Sequence, residues 1–397
     1  MARDKEASGK SAQGRKRFTK SPTPMRGESD ITRDHQRDQG TVNNRDDSPS
    51  VFPSTLSISP SETSKPSVMI VGAGRLGTAL ALGLSASGYC ITALVARCLT
   101  RARLAASLFE DGEGARPKAL SIAQLGTPLP PVDLILITTP DDAIASTAAR
   151  LAEIFNATFN ATTPNAPSPP SSRSTRHRRR RQTERVVLHV SGALPSDVLA
   201  PLRECGFAVG SMHPLASISE ASAGAERLRG AAYCVEGDRH AVIVARRLVR
   251  DLGGNSFSID TRDKALYHAA AVITSGHMVA LFDAATELLA PCGLSAARAR
   301  HVLYPLLRGT LENLATHDDP AVALTGPFAR ADLATVRRHL AALAASAAPD
   351  LLHVYALLGL RSLRLSAANQ PDAERVAKIR RALEKAASRR RKVSGGK

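Results

Sequence analysis

The stretch from Ser67 to Gly88, SVMIVGAGRLGTALALGLSASG, constrains the fold more than any other part of the chain. It opens with four consecutive apolar residues, Val68-Met69-Ile70-Val71, a run suited to a strand covered on both faces. Glycines then recur as Gly72-x-Gly74-x-x-Gly77, and an Ala/Leu-rich helical pattern continues to Gly88, a natural C-terminal stop. Gly72 permits a tight turn, Gly74 leaves the backbone open to a pyrophosphate, and Gly77 lets the helix sit close against the strand. Ala73, Arg75 and Leu76 complete the turn, whose free N–H groups lie at the positive end of the helix dipole. A second apolar run, Ile91 to Val95, follows the helix. The pattern predicts a dinucleotide-binding β-α-β unit, the alternative being a glycine-rich turn in some other α/β protein.

No Asp or Glu stands at the end of the second strand to accept hydrogen bonds from ribose hydroxyls. The residues there are Ala96-Arg97, and Arg97 with Arg101 suits the 2′-phosphate of NADP, with NAD still possible. Val132 to Ile137 reads as the next central strand. It ends in Thr138-Thr139-Pro140-Asp141-Asp142, and Thr139 and Pro140 join the expected cofactor-binding set because ligands of open parallel sheets lie beyond strand carboxyl ends. A helix from Ala143 to Ile154 follows. Strands at Arg185–Val190, Phe207–Ser211 and Ala231–Glu236 then alternate with helices at Ser196–Cys205 and Arg239–Leu252. This alternation predicts an α/β fold with a doubly wound parallel sheet over residues 66–260. From Thr261 the chain is almost purely helical, with one long Ala-rich segment at Lys264–Ala290 and further helices at Ser295–His317, Ala329–Ala345 and Pro349–Ala368. Residues 261–370 therefore read as an all-α domain that buries its faces against itself or a second subunit.

The net charge of +17 is unevenly placed: residues 1–65, 151–185 and 371–397 hold all but about two of those charges. Residues 1–65 are polar and rich in Ser, Pro and Asp, and read as a disordered tail. Residues 156–185 read as a disordered basic insert in a surface loop, and 371–397 as a basic helical tail. A nearly neutral body argues against a specific nucleic-acid face, although the tails would attract polyanions. No apolar run approaches the length of a membrane span, so no membrane association is expected. The cysteines are scattered without a CxxC or any metal-ligand spacing. They predict a reduced, cytoplasmic protein without a bound metal.

Four blocks, GAGRLGTALALGL, HVSGALPSDVLAPLRECGFAVGSMHPL, KALYHAAAVITSGHMVALFDAATELL and LTGPFARADLATVRRHL, occur in order. Together they resemble a bacterial family in which a Rossmann-like N-terminal domain precedes a helical C-terminal domain of unknown function. That family resembles the 6-phosphogluconate-dehydrogenase-like group, which includes ketopantoate reductase, pyrroline-5-carboxylate reductase and prephenate dehydrogenase. The likeness spans about residues 67–370, apart from the insert. It implies a C-terminal domain like that of 6-phosphogluconate dehydrogenase and an NAD(P)-dependent oxidoreductase. One departure is that Ser275-Gly276-His277 stands where related proteins carry a Ser-Asn pair.

Lys264 and His268 are four residues apart and share a helix face, with Ser275 close to two turns further on. The resemblance turns this face toward the nicotinamide, where Lys264 or His268 is expected to act as general acid or base. The bland alternative makes Lys264 a surface charge and His268 a satisfied, half-buried histidine. His213-Pro214 resembles the His-Pro turn of prephenate dehydrogenase-like proteins, and a buried turn histidine explains it equally. Ser191-Gly192 is expected to offer a backbone N–H and a hydroxyl to the carboxamide or substrate, although a tight turn also accounts for the glycine. Arg308 and Glu312 read as a surface pair. The expectation is hydride transfer between NADP(H) and a small polar metabolite by a homodimer joined through its helical domain. The alternative is a dinucleotide-binding regulatory or sensor protein without turnover.

Overall fold

The computed structural model describes residues 65–109, 116–126, 132–161, 185–346, 348–366 and 372–388. The expected tail at 1–65, apart from Lys65, and most of the expected insert at 156–185 lie outside these residues. Eight strands form one sheet: β1 (Val68–Val71), β2 (Ile91–Ala96), β3 (Lys118–Ser121), β4 (Leu134–Ile137), β5 (Val186–His189), β6 (Ala208–Pro214), β7 (Ala232–Gly237) and β8 (Asn255–Phe257). Their order is β3-β2-β1-β4-β5-β6-β7-β8. Strands β1 to β6 pair in parallel, whereas β7 runs antiparallel to β6, with β8 parallel to β7. The sheet is therefore Rossmann-type with a reversed edge. The chain crosses over between β1 and β4, which opens a crevice at their carboxyl ends.

Helices α1 (Arg75–Ala86), α2 (Leu99–Ala106), α3 (Asp141–Ala161), α4 (Ala200–Glu204), α5 (Ala221–Leu228) and α6 (Arg239–Asp251) flank the sheet. Alternation along β1 sends Val68 and Ile70 into one core and Met69 and Val71 into the other. The first core includes Leu80 and Leu84 of α1 and Leu248 of α6, and the second Ile144, Ala148 and Leu151 of α3. Coverage on both faces is why β1 carries no polar residue. Helix α3 continues to Ala161. It thus takes in the first residues of the segment expected to be a disordered insert from Asn156.

The remaining helices are α7 (Lys264–Thr274), α8 (Gly276–Glu287), α9 (Ala296–Thr316), α10 (Pro320–Ala323), α11 (Gly326–Ala329), α12 (Leu333–Ala345), α13 (Pro349–Ser366) and α14 (Ala373–Ala387). The long helix expected over Lys264–Ala290 is broken at Ser275, where φ is −109° and ψ −70°. Thr261–Glu287, 27 residues with a mean hydropathy of 1.4 over its most apolar window, has the length and composition of a membrane span. This corrects the expectation that no apolar run comes close. Two features of a folded domain mark the same stretch: the break at Ser275 and a charged first residue of α7, Lys264, that is buried.

A third core joins α12, α13 and α14 through Val336, Ala356, Leu363, Ile379 and Leu383. Helix α14 is capped by Asp372, whose carboxylate accepts from the Arg375 N–H. Residues 373–387 are thus helical, as expected of this segment, and they also pack into the third core. Replacing Ile379 or Leu383, both fully buried, by Ala is expected to lower unfolding free energy by about 2–4 kcal/mol each. Denaturant melts unchanged from the parent protein would show that α14 contributes no core.

Candidate functional site

The turn after β1 is locked by the end of β4. Thr138 donates its N–H to the Val71 carbonyl at 2.8 Å and its hydroxyl to the Gly72 carbonyl at 2.6 Å. Gly72 has a φ of +123°, and a Cβ there would lie 2.5 Å from the Thr138 backbone. At Gly77 a Cβ would lie 2.1 Å from the Gly72 carbonyl oxygen, so only glycine permits this approach of helix and turn. Gly74 differs, because nothing lies within 4 Å of where its Cβ would be. It is the N-cap of α1 and offers no side-chain cap, so the first N–H groups of the helix remain available to an anion.

These residues open on a cavity of about 740 Å³. Gly72, Ala73, Gly74, Arg75, Leu76, Arg97, Arg101, Thr139 and Pro140 all line it, with Gly77 behind the turn. Arg97 and Arg101 are exposed along it. The Thr139 hydroxyl is buried without a hydrogen-bond partner, a polar group in want of a ligand.

A second cavity, of about 650 Å³, is lined by His213, Pro214, Phe257, Tyr267, His268 and Ser275 among others. The two cavities adjoin at two places. Ser191 lines the first, and at the next residue, Gly192, a Cβ would come 2.4 Å from His268 Nδ1 and 2.7 Å from His213 Cε1. Ile218 lines the first cavity and Ser217 the second. The rings of His213 and His268 are 5.4 Å apart, and His213 Nδ1 is 2.7 Å from the Tyr267 hydroxyl. Burial, with the neighbouring His268 ring and the Lys264 ammonium, pushes the His213 pKa down to about 4. His213 is therefore neutral at pH 7. Burial raises the Tyr267 pKa, so its phenol keeps its proton. His268 Nδ1 is buried and has no partner.

Lys264 lines neither cavity, which corrects the expectation that it faces a cleft. Its Nζ donates to Ser211 Oγ at 2.6 Å and to Glu236 Oε1 at 3.1 Å. Glu236 also accepts from the Ser196 N–H at 2.9 Å and the Ser196 hydroxyl at 2.7 Å. Ser191 is likewise committed to structure. Its hydroxyl donates to Asp141 Oδ2 at 2.8 Å and accepts from the N–H groups of Ala193 and Leu194, while its own N–H donates to His189 Nδ1. The expectation that Ser191 offers both groups to a ligand is corrected accordingly. His189 is buried, and burial with the Lys264 charge pushes its pKa down to about 3. Because Nδ1 accepts, Nε2 carries the proton and donates to the Pro195 carbonyl at 3.2 Å. Ser275 joins His268 in the second cavity, as their spacing implies. Reading the sequence singled out Ser191-Gly192 without foreseeing that Gly192 makes room for two imidazoles, and it missed Tyr267 and Glu236. Of these only Glu236, an acid closing an apolar run, carried a local signal.

Residues 231–362 match the family model described as Domain of unknown function (DUF2520). No curated protein matches the chain. A Thermotoga maritima structure is 19% identical, with a TM-score of 0.53, covering 76% of this chain and 99% of its own. A provisionally assigned NADP oxidoreductase from Bacteroides fragilis is 21% identical, with a TM-score of 0.55 and coverage of 76% and 99%. Pyrroline-5-carboxylate reductase from Streptococcus pyogenes is 16% identical, with a TM-score of 0.44 and coverage of 82% and 100%. The first two likenesses agree with the fold described above.

The ion pair sets a stability test. Lys264→Met leaves the Glu236 carboxylate buried without its cation and is expected to cost about 3–5 kcal/mol, whereas Lys264→Met with Glu236→Gln should recover much of that loss. A single variant as stable as the parent in urea would mean that the ammonium is not tied into the fold.

Proposed function

We propose that the protein is an NADP-dependent oxidoreductase, with the dinucleotide in the first cavity and a small-molecule substrate in the second. One observation carries this reading: a glycine cradle and a histidine pair meet across Gly192, which is narrow enough to bring two bound molecules side by side. The chain's residues fit the cofactor. The open backbone at Gly74 and the uncapped start of α1 would hold the diphosphate, Arg97 and Arg101 the 2′-phosphate, and the orphaned Thr139 hydroxyl a further polar group. The NADP assignment of the Bacteroides relative agrees with this choice. When bound, such a dinucleotide supplies or takes up hydride. His268 donates the proton that a carbonyl oxygen needs as it becomes an alcohol, and the neutral His213, held by Tyr267, fixes the wall beside it.

Titration with both cofactors tests the reading. Gly74→Val fills the open cradle and should abolish binding of NADPH and NADH alike. Arg97→Ala with Arg101→Ala should weaken NADPH by about 1.5–3 kcal/mol and spare NADH. His268→Gln should keep NADPH affinity and lower turnover roughly 10²–10⁴-fold. Undiminished NADPH binding by a folded Gly74→Val protein removes the proposal. Binding without turnover of any carbonyl compound favours the sensor reading instead.

The partner we propose is a second copy of the chain. Leu266, Ile273, Val279, Tyr304 and Leu306 are exposed along α7 to α9, more apolar surface than a lone subunit usually leaves in water. Sedimentation at micromolar concentration should show a dimer, and a monomer there would exclude it. The five free cysteines agree with the reducing, cytoplasmic compartment that we also propose.

A further inference from the structure

The two cavities differ in charge, and the difference bears on what the second one takes. The first is lined by Arg75, Arg97 and Arg101 together with Asp141 and Asp142. Among the described residues the second cavity has no Lys, Arg, Asp or Glu in its lining. Its walls are Pro214, Leu215, Phe257, Val272 and a run of alanines, with polar groups limited to two imidazoles, a phenol and three hydroxyls. The nearest buried cation, Lys264, is engaged by Glu236 and Ser211 and does not open into the cavity. His213 holds no charge at pH 7. A carboxylate entering here would shed water and meet no lysine or arginine, and by engaging His268 it would occupy the proton donor itself, which disfavours it. Its volume of about 650 Å³ falls in the usual range for pockets that take small molecules.

Resting on the oxidoreductase reading, we infer that the second cavity takes an uncharged aldehyde or ketone with an apolar body, not a carboxylate-bearing metabolite. This narrows the small polar metabolite expected from the sequence. Hydride adds to the carbonyl carbon, the C=O π pair moves to oxygen, and oxygen takes one proton from His268, giving an alcohol.

The test uses methyl benzoylformate and benzoylformate, which share a ketone and a ring and differ in charge. Calorimetric titration of the full chain without cofactor should show the ester binding roughly 10- to 100-fold more tightly than the acid. NADPH oxidation should show the same order in kcat/KM. Val272 lines the cavity and is 37% exposed, so Val272→Arg installs a cation there without disturbing a core. It should bring the acid to parity or better, while Val272→Gln should not. Equal or tighter binding of benzoylformate by the parent protein overturns the assignment, as does failure of the ester to bind at millimolar concentration. The two readings fail separately. Ester preference without NADPH binding removes the oxidoreductase and keeps the cavity's selectivity. NADPH binding with acid preference does the reverse.

Discussion

One buried ammonium fastens the helical half of the molecule to the sheet. Lys264 is the first residue of α7, and its two partners come from strands that run in opposite directions. The antiparallel pairing of β6 and β7 sets Ser211 directly opposite Glu236, so the reversal of the sheet edge places the hydroxyl and the carboxylate together. The second carboxylate oxygen binds the Ser196 hydroxyl, which draws in the loop after β5. A charge pair this dry is stable only when its remaining hydrogen-bonding capacity is met, so helix, strands and loop hold or fail together. His268 lies one turn along α7 from this anchor, which delivers it to Gly192.

The wall between the cavities follows from the same loop. The Ser191 hydroxyl ties the loop to Asp141 at the start of α3 and to two N–H groups ahead of it. With its capacity spent in this way, Ser191 shapes a turn and leaves chemistry to its neighbours. Gly192 then takes the one place where an added methyl group would collide with both imidazoles. Local rigidity on one side and the missing side chain on the other make the partition thin. Three arginines line the first cavity, and among the described residues no lysine, arginine or carboxylate lines the second, which gives each its own electrostatic character.

The parts legible in the sequence were those set by neighbours in the chain. Gly72, Gly74 and Gly77 announce a strand, turn and helix because the three roles lie within six residues, and the apolar runs of β4 to β7 could be read as strands one by one. Strands β3 and β8 escaped because Lys118–Ser121 and Asn255–Phe257 are short edge strands without a buried run. The site was harder, since Lys264 meets Glu236 28 residues away and His213 meets Tyr267 54 residues away. Helical spacing puts Lys264 and His268 on one face but does not reveal that a carboxylate faces the first and a cavity the second. In α14 the buried Ile379 and Leu383 do stand at helical spacing. Arg380 and Arg381 between them, with Lys378 and Lys385 on either side, gave the segment the look of a solvated tail.

The helical half divides into a part that satisfies itself and a part that does not. Helices α12 to α14 turn their apolar residues on one another and form a core. Helix α9, by contrast, is 21 residues long and buries only Ala299. Helices α7 and α8 expose Leu266, Ile273 and Val279 while their other side carries Tyr267, His268 and Ser275 into the cavity. Apolar residues on both sides of one helical stretch are what give Thr261–Glu287 the hydropathy of a membrane span, although one side belongs to a site. The break at Ser275 matters for the same reason: Ser275 and Gly276 both line the second cavity, so the helix bends where the site needs room. The outer face of α7 and α8 is therefore the back of the cavity wall, and any change of packing on that face reaches the second cavity through the same two helices.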